Sequence, residues 1–260
     1  MKTRLDRLLV DRGLAPTRER AQAMVIAGRV LVNRQKVSKP GAPVPDGAEL
    51  RVLGEDPRYV SRGGFKLEAA LKHWSINVVG RFCLDVGAST GGFTDCLLQH
   101  GAARVLAIDT GYGQIAQKLR SNPQVSLMER TNARLLKPGD LPQGISLIAM
   151  DVSFISATLV LPAVVAAAFG GEPDRPQELV VLVKPQFEAG REFVGKGGIV
   201  RDPAGHQAAV ERVRQCVAEL GGQRIDVIDS PILGTEGNRE FLLYARASDT
   251  EPLSRRINTS

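Results

Sequence analysis

The feature that most constrains the fold is a glycine-rich segment at residues 84–95, with the sequence Leu-Asp-Val-Gly-Ala-Ser-Thr-Gly-Gly-Phe-Thr-Asp. The apolar run 82–86 has the composition of a buried strand, and residues 93–100 have the composition of a helix. Between them stand glycines, which allow the backbone to bend sharply and to approach a ligand closely: Gly87, Gly91 and Gly92. The segment therefore predicts the first strand, turn and helix of a nucleotide-binding α/β domain.

The residues around this turn indicate which ligand it binds. In such domains an acidic residue about twenty positions on holds the ribose hydroxyls, and Asp109 follows the next apolar run. Dinucleotide-binding turns have the spacing G-x-G-x-x-G, which brings a pyrophosphate to a helix N-terminus. This turn instead reads G-x-x-x-G-G and follows Asp85, whose carboxylate would repel pyrophosphate and favour a cationic ligand. We therefore predict an S-adenosylmethionine site and not that of a dehydrogenase, the alternative being a tight turn without a ligand.

Charged residues also follow two later strands of the predicted sheet. The runs 145–150 and 179–183 are continuously apolar, as is typical of a parallel sheet covered on both faces. Asp151 follows the first run and Lys184 the second. Because ligands bind beyond the carboxyl ends of the strands in open α/β sheets, these side chains should gather at one rim with Asp85 and Asp109.

Two further segments complete the predicted sheet and its surroundings. Residues 224–228 and 241–246 are predicted to form a hairpin at the sheet edge, and Glu240 stands where the last strand begins. A helix is predicted to begin after the paired glycines of residues 63–64, with Lys66 in its first turn. A lysine there is unfavourable for the helix dipole, which favours acidic residues at that end. This local conflict suggests a role for Lys66, with an exposed lysine as the alternative.

The basic residues are concentrated at the N-terminus. Residues 1–66 hold 14 Lys and Arg against 7 Asp and Glu, whereas the remaining 194 residues hold 20 against 21. This asymmetry indicates a nucleic-acid contact. The basic region is predicted to contain a helix over 2–12, a second helix from an N-cap at Thr17 to about Ala27, and strands over 30–33 and 48–53.

Other features bound the setting of the protein. The apolar run 157–169 is shorter than the roughly 20 residues that span a bilayer. The first seven residues are charged rather than apolar, so they do not resemble a secretory signal. The three cysteines lack metal-ligand spacing, which makes a reduced cytoplasm the simplest setting. We expect no membrane partner, and the sequence leaves a monomer and a weak dimer open.

The N-terminal patterns Arg-Leu-Asp (4–6), Thr-Arg-Glu-Arg-Ala (17–21) and Ala-Gly-Arg-Val-Leu-Val-Asn (27–33) resemble the α-L RNA-binding domain. That family usually has Ser where Thr17 stands and Gly where Arg34 stands, and both departures are mild. The first keeps a capping hydroxyl, and the second alters only a hairpin turn. The resemblance implies an RNA surface of residues able to contact phosphates: Arg4, Arg18, Arg20, Arg29, Arg34 and Lys36. We add Arg62 to these RNA-binding candidates.

Four longer segments, at residues 59–71, 84–95, 150–156 and 182–202, closely resemble the TlyA family. Its members join an α-L domain to an FtsJ-like methyltransferase domain, and they are described as ribosomal RNA cytidine 2′-O-methyltransferases that are often also labelled hemolysins. The resemblance implies a Rossmann-like S-adenosylmethionine-dependent methyltransferase domain with a small N-terminal α+β RNA-binding domain. The expected boundaries are residues 1–56 for the RNA-binding domain, 57–62 for a linker, 63–250 for the methyltransferase domain and 251–260 for a tail.

The resemblance also implies a catalytic set of Lys66, Asp151, Lys184 and Glu240. Lys184 is the candidate base for a ribose 2′-hydroxyl, because a partly buried amine near positive charge releases its proton more readily. Lys66 would supply that charge and steady the alkoxide, Asp151 would orient Lys184, Glu240 would position Lys66 or the ribose, and no metal is required. The residues expected to bind the cofactor are Asp85, Gly87, Ser89, Thr90, Gly91, Gly92, Phe93, Asp109 and Asp151. The partners implied are ribosomal RNA or ribosomal subunits, the alternatives being a membrane-active hemolysin and a non-catalytic assembly factor.

Overall fold

The chain divides into two compact units, Met1–Arg58 and Tyr59–Ser260. A computed structural model describes residues 2–54, 58–170, 177–234, 237–247 and 253. The expected tail, 251–260, lies outside the described residues except for Leu253, and residues 55–57 around the expected linker also lie outside them. The expected domain boundaries therefore stay a prediction.

The first unit is a small α+β module. Its elements are β1 (Lys2–Arg4), α1 (Leu5–Asp11), α2 (Arg18–Ile26), β2 (Val30–Val32), β3 (Gln35–Lys36), β4 (Pro43–Pro45) and β5 (Leu50–Val52). The prediction of a helix over 2–12 is wrong for its first turn, because β1 pairs antiparallel with β4. The predicted N-cap is confirmed, since the Thr17 hydroxyl accepts a hydrogen bond from the backbone N–H of Arg20. Leu5, Leu9 and Val25 are fully buried in a core between the two helices and the strands.

A two-residue turn joins β2 to β3. Asn33 and Arg34 both have positive φ, 49° and 67°, as a two-residue hairpin turn that matches the strand twist requires. Arginine accepts this left-handed conformation at a cost that glycine does not have. The turn presents Arg34 with its side chain 88% exposed.

The second unit is an α/β domain that begins with a helix. Its elements are α3 (Gly63–His73), β6 (Phe82–Val86), α4 (Gly92–Gln99), β7 (Arg104–Ile108), α5 (Gln117–Arg120), β8 (Val125–Met128), β9 (Ile145–Met150), α6 (Leu161–Phe169), β10 (Glu178–Val183), α7 (Pro185–Glu188), α8 (Pro203–Glu219), β11 (Gln223–Asp229) and β12 (Phe241–Arg246). Within the described part of this unit, short 3₁₀ turns lie at Ala133–Leu135, Ala157–Leu159, Arg191–Phe193 and Lys196–Gly198.

The strands of the second unit form one seven-stranded sheet in the order β11-β12-β10-β9-β6-β7-β8. β10, β9, β6, β7 and β8 are parallel, and β12 runs antiparallel to both of its neighbours, so the predicted final hairpin is confirmed. Apolar clusters cover both faces of the sheet, and every residue of β9 is buried. The chain leaves β6 toward β7 on one side and returns with β9 on the other. This reversal opens a crevice at the carboxyl ends of the strands, where ligands bind in such sheets.

No helix among the described residues is long and apolar enough to cross a membrane.

Candidate active site

A cavity of about 500 Å³ lies beyond the carboxyl ends of β6, β7 and β9. Gly87 forms part of its wall with φ +85°, and a Cβ added there would lie 2.3 Å from the carbonyl oxygen of Asp151. Only a glycine fits between the two strands at this point. The Asp109 carboxylate accepts hydrogen bonds from the backbone N–H groups of Ser89 at 2.7 Å and Gly111 at 2.6 Å. Two loops around the cavity are thereby fixed to one acidic side chain.

Asp85 is fully buried beneath the turn. Its Oδ2 accepts hydrogen bonds from the backbone N–H of Thr94 at 2.9 Å and from the Thr94 hydroxyl at 2.6 Å. Its Oδ1 has no hydrogen-bond partner among the described residues. Burial raises the pKa of Asp85 to about 7; the nearby carboxylates of Asp151 and Asp109 add to the rise, and the Thr94 hydrogen bonds oppose it. The three carboxylates of Asp85, Asp109 and Asp151 lie near one another, and such a cluster suits a cationic ligand. S-adenosylmethionine is a ligand of this kind.

A second cavity, of about 240 Å³, adjoins the first and shares Gly87, Ser89 and Asp151 with it. The side chains of Lys66, Asp151, Lys184 and Glu240 all line it. The structure thus brings together four residues from a helix and three strand ends that are far apart in sequence.

These four residues form two ion pairs. Lys66 donates a hydrogen bond to Glu240, and both side chains are at least nine-tenths buried. The Lys184 Nζ lies 2.6 Å from Asp151 Oδ1 and donates a hydrogen bond to the Ser153 hydroxyl at 2.7 Å. The charges of these four residues cancel, and Arg62, which also lines the second cavity, adds a further cation.

The local sequence explains how each pair is held. Lys66 lies in the first turn of α3, where the helix dipole opposes its charge and Glu240 offsets it. A Cβ added to Gly234 would lie 2.1 Å from Glu240 Oε1, so a bare backbone leaves room for that carboxylate. Asp151 and Lys184 follow the parallel strands β9 and β10, which are hydrogen-bonded neighbours. Their side chains meet because the two strands end at the same rim.

Glu188 links the loop after Asp151 to the helix after Lys184. Its carboxylate accepts hydrogen bonds from the Ser156 hydroxyl and the Ala157 backbone N–H, both at 2.6 Å. Burial raises the pKa of Glu188, and these hydrogen bonds oppose the rise. The sequence analysis did not identify this residue, because no motif marks it among the polar and charged residues around it.

The predicted cofactor residues differ in their position. Ser89, Gly87 and Asp151 line both cavities, Asp109 lines the first, and Thr90, Gly92 and Phe93 line the second. Asp85 and Gly91 line neither: Asp85 is buried, and Gly91 packs against Leu119 with φ +94°. The sequence analysis missed several polar and aromatic residues that line the first cavity because they lie in loops without a motif: Gln114, Thr131, Asn132, Ser153 and Phe154.

Phe154 is conspicuous among these residues. Its side chain is 92% exposed, and its φ of 65° is rare for a bulky residue. Its ring centroid lies 5.7 Å from that of Phe187 in α7. The loop therefore holds an aromatic ring in solvent at the cavity, at a cost in backbone strain.

The predicted RNA-binding residues of the first unit differ in their surroundings. Arg4 and Arg18 donate to the Asp6 carboxylate, and Arg29 donates to the carbonyl oxygens of Leu53 and Gly54. Arg34 and Lys36 are exposed on the β2–β3 hairpin, and Arg20 is half-buried on α2. Arg62, in the second unit, lines the smaller cavity beside Lys66.

Comparison with known proteins places both units. The FtsJ-like methyltransferase family matches residues 59–247, and the S4 domain matches residues 3–50. "Putative rRNA methyltransferase YqxC" of Bacillus subtilis is 48% identical over 94% of this chain and 85% of its own. "16S/23S rRNA (cytidine-2'-O)-methyltransferase TlyA" of Mycobacterium tuberculosis is 44% identical over 97% and 93%. The solved structure "Putative hemolysin from Streptococcus thermophilus" is 43% identical, covers 95% of this chain and 89% of its own, and superposes with a TM-score of 0.70.

The fold and the family match define the second unit as a methyltransferase, joined here to an S4 domain. Relatives at 44–48% identity cover nearly the whole chain, so the comparison also shows to which family of FtsJ-like methyltransferases it belongs. The chain belongs to the TlyA family of FtsJ-like methyltransferases, which confirms the resemblance found in the sequence and the expected fold class.

Proposed function

We propose that this protein transfers a methyl group from S-adenosylmethionine to the 2′-hydroxyl of a cytidine ribose in ribosomal RNA. The observation that carries the proposal is the meeting of Lys66, Asp151, Lys184 and Glu240 in a cavity that adjoins the larger one. A transferase needs two adjoining sites, one for the donor and one for the acceptor. The relatives named above support the choice of substrate.

We assign the larger cavity to the cofactor. Asp109 would hold the ribose hydroxyls, and the bare backbone at Gly87 would allow close approach. Asp85 lies buried beneath the turn and would favour the cationic end through its charge rather than by contact. When bound, S-adenosylmethionine supplies a methyl group on a sulfonium. The protein contributes the position of the acceptor and the removal of its proton.

We assign the proton transfer to Lys184. A 2′-hydroxyl is a poor nucleophile, so a base within hydrogen-bond reach must take its proton. The Asp151 carboxylate at 2.6 Å and the Ser153 hydroxyl at 2.7 Å fix the amine in one orientation. Asp151 also stabilises the ammonium that forms when Lys184 takes the proton.

Lys66 would stabilise the negative charge that develops on the 2′-oxygen. Its ammonium is buried and held by Glu240, so it cannot swing away from the cavity. A cation fixed in advance costs little reorganisation when charge develops on the substrate. Glu240 thus acts on the reaction by positioning Lys66.

Contacts to RNA would come from both units. The basic S4 domain supplies phosphate contacts that hold the RNA without reading its sequence. Phe154, exposed beside the cavities, offers a surface on which an unstacked base can lie. Because the substrate is ribosomal RNA, we expect the protein to act in the cytoplasm, on one or both ribosomal subunits.

The test is transfer of tritium from methyl-labelled S-adenosylmethionine to purified small and large ribosomal subunits, followed by digestion to nucleosides. We expect label in 2′-O-methylcytidine. Label confined to a base methyl group would contradict the assignment of the hydroxyl acceptor. No transfer to either subunit, from protein that binds the cofactor, would contradict the choice of substrate.

A further inference from the structure

Asp6 is a fully buried carboxylate whose hydrogen-bonding capacity is filled. Its Oδ1 accepts from Arg4 Nε at 3.1 Å and from the backbone N–H of Arg7 at 2.9 Å. Its Oδ2 accepts from Arg4 Nη2 at 2.8 Å, Arg18 Nε at 3.1 Å and Gln22 Nε2 at 2.9 Å. The hydrogen bond from Arg4 holds the pKa of Asp6 well below its usual range against the effect of burial. The carboxylate therefore stays charged at neutral pH.

The two arginines on this carboxylate are not buried with it. Their side chains are 52% exposed at Arg4 and 54% exposed at Arg18. Arg18 uses only its Nε on Asp6, and its two terminal nitrogens make no hydrogen bond to the residues that the structure describes. Arg4 packs against Gly41, where an added Cβ would lie 2.9 Å from Arg4 Nη1. Two guanidinium groups from the starts of α1 and α2 are thereby fixed side by side.

We propose that Asp6 is a positioning residue for RNA, which fixes Arg4 and Arg18 as a two-arginine clamp on a backbone phosphate. The inference rests on the proposed function, since it assumes that the S4 domain binds RNA. Two guanidinium groups held around one anion repel each other and would separate without it. The buried carboxylate offsets that repulsion, so the donors that face solvent are oriented before RNA arrives. A guanidinium fixed in advance loses less conformational entropy on binding a phosphate.

The inference predicts a change in RNA affinity opposite in direction to the change that net charge alone would cause. Asp6→Asn removes a negative charge from a domain that binds a polyanion, so charge alone would strengthen RNA binding. If Asp6 positions the arginines, the same change weakens binding. The matched control is Asp11→Asn, on the same helix, whose carboxylate is 54% exposed and lies 3.7 Å from Arg7. It changes the net charge equally and leaves the clamp in place.

The experiment measures binding of full-length protein to purified ribosomal RNA by filter retention over a range of KCl concentrations. We expect Asp6→Asn to bind about tenfold more weakly than wild type, the low end for lost charged hydrogen bonds. The slope of log affinity against log salt should fall by about one phosphate contact. Asp11→Asn should bind as tightly as wild type or more tightly. Equal or tighter binding by Asp6→Asn, at a melting temperature that shows a folded domain, would overturn the inference.

A second pair of variants covers the case in which Asp6→Asn does not fold. Arg18→Lys keeps the charge but cannot both hold Asp6 and present a planar pair of donors. Arg34→Lys makes the same change at an 88% exposed side chain whose Nε is 3.9 Å from Glu49. We expect Arg18→Lys to weaken RNA binding severalfold more than Arg34→Lys, and equal losses would contradict the clamp. Failure of the proposed function would give a different result. Wild-type protein would then bind S-adenosylmethionine but would retain no ribosomal RNA on the filter at any salt concentration.

Discussion

The amine of Lys184 is fixed by two neighbouring side chains. The Asp151 carboxylate lies 2.6 Å from Nζ, and the Ser153 hydroxyl accepts a hydrogen bond from it. The Lys66–Glu240 pair lies in the same cavity and adds no net charge. The proposed base therefore lies beside one carboxylate and shares its cavity with a second, paired lysine.

We predict that Lys184→Ala retains S-adenosylmethionine and RNA binding but loses about 100- to 10,000-fold in rate, the usual cost of a general base. Lys184→Arg should not restore activity, because a guanidinium keeps its proton. The measurement is single-turnover methyl transfer against pH. In Lys66→Ala the rise in rate should move to higher pH, since Glu240 is then left uncompensated near Lys184. Substantial activity in Lys184→Arg with an unchanged profile in Lys66→Ala would leave Lys184 as a positioning residue.

Asp85 predicts a second pH dependence, in cofactor binding. Its pKa of about 7 in the fold exceeds the unfolded value of roughly 3.9, so the native protein binds the extra proton between these limits. The free energy of unfolding of the cofactor-free protein should thus fall as pH rises from about 4 to 7 and then level off. A cationic cofactor favours the charged form, so its affinity should fall as pH drops below about 7. Calorimetry at pH 6 and pH 8 checks this, and Asp85→Asn should remove the part of the dependence that belongs to the protein.

At the scale of elements, the turn between β6 and α4 depends on backbone that carries no side chain. We predict that Gly87→Ala abolishes cofactor binding, because the new Cβ would displace the Asp151 carbonyl that it meets at 2.3 Å. Gly113→Ala is the matched control, with a similar φ of +71° and nothing within 4 Å of the added atom. Both variants share the roughly 1–2 kcal/mol cost of a left-handed residue. Thermal melts and cofactor titration of the two variants should therefore differ, and equal cofactor affinity would refute the clash.

The elements that the sequence predicted well are those whose pattern is local. The apolar strands β6, β9 and β10 and the capped helix α2 were found because burial and capping are written in adjacent residues. β1 was misread as helix because its state depends on pairing with Pro43–Pro45, some forty residues away.

The same limit applies to the sites. The resemblance identified Lys66 and Lys184. The hydrogen bonds of Lys184 to Ser153 and of Glu188 to Ser156 depend on how the loops fold over one another, so the sequence did not predict them. Asp6 was read as part of a motif, and nothing local shows that it binds two arginines at once. The roles assigned to Lys66, Asp151, Lys184 and Glu240 stay predictions. The structure gives the positions of these side chains, but it does not show which of them carries a proton during the reaction.

At the scale of the whole molecule, the concentration of basic residues in the first unit suggests that this unit binds RNA while the second unit binds the cofactor. We predict that removing residues 1–58 abolishes methylation of ribosomal RNA while cofactor affinity stays within about twofold, because the described residues that line the two cavities all belong to the second unit. The measurement is tritium transfer to ribosomal subunits beside a cofactor titration, at several salt concentrations. Methylation by residues 59–260 at the rate of the full chain would assign the basic unit another purpose.

The order of the strands has a consequence for biosynthesis. β12 is made after β11 but lies inside the sheet, between β11 and β10, with Glu240 directly before it. While the chain is still being translated, β11 has no strand to pair with in this sheet and Lys66 lacks its counter-ion. A nascent chain can thus form the turn proposed to bind the cofactor before it can complete the cavity proposed for the acceptor. That second cavity is complete only once β12 has joined the sheet and Glu240 has met Lys66.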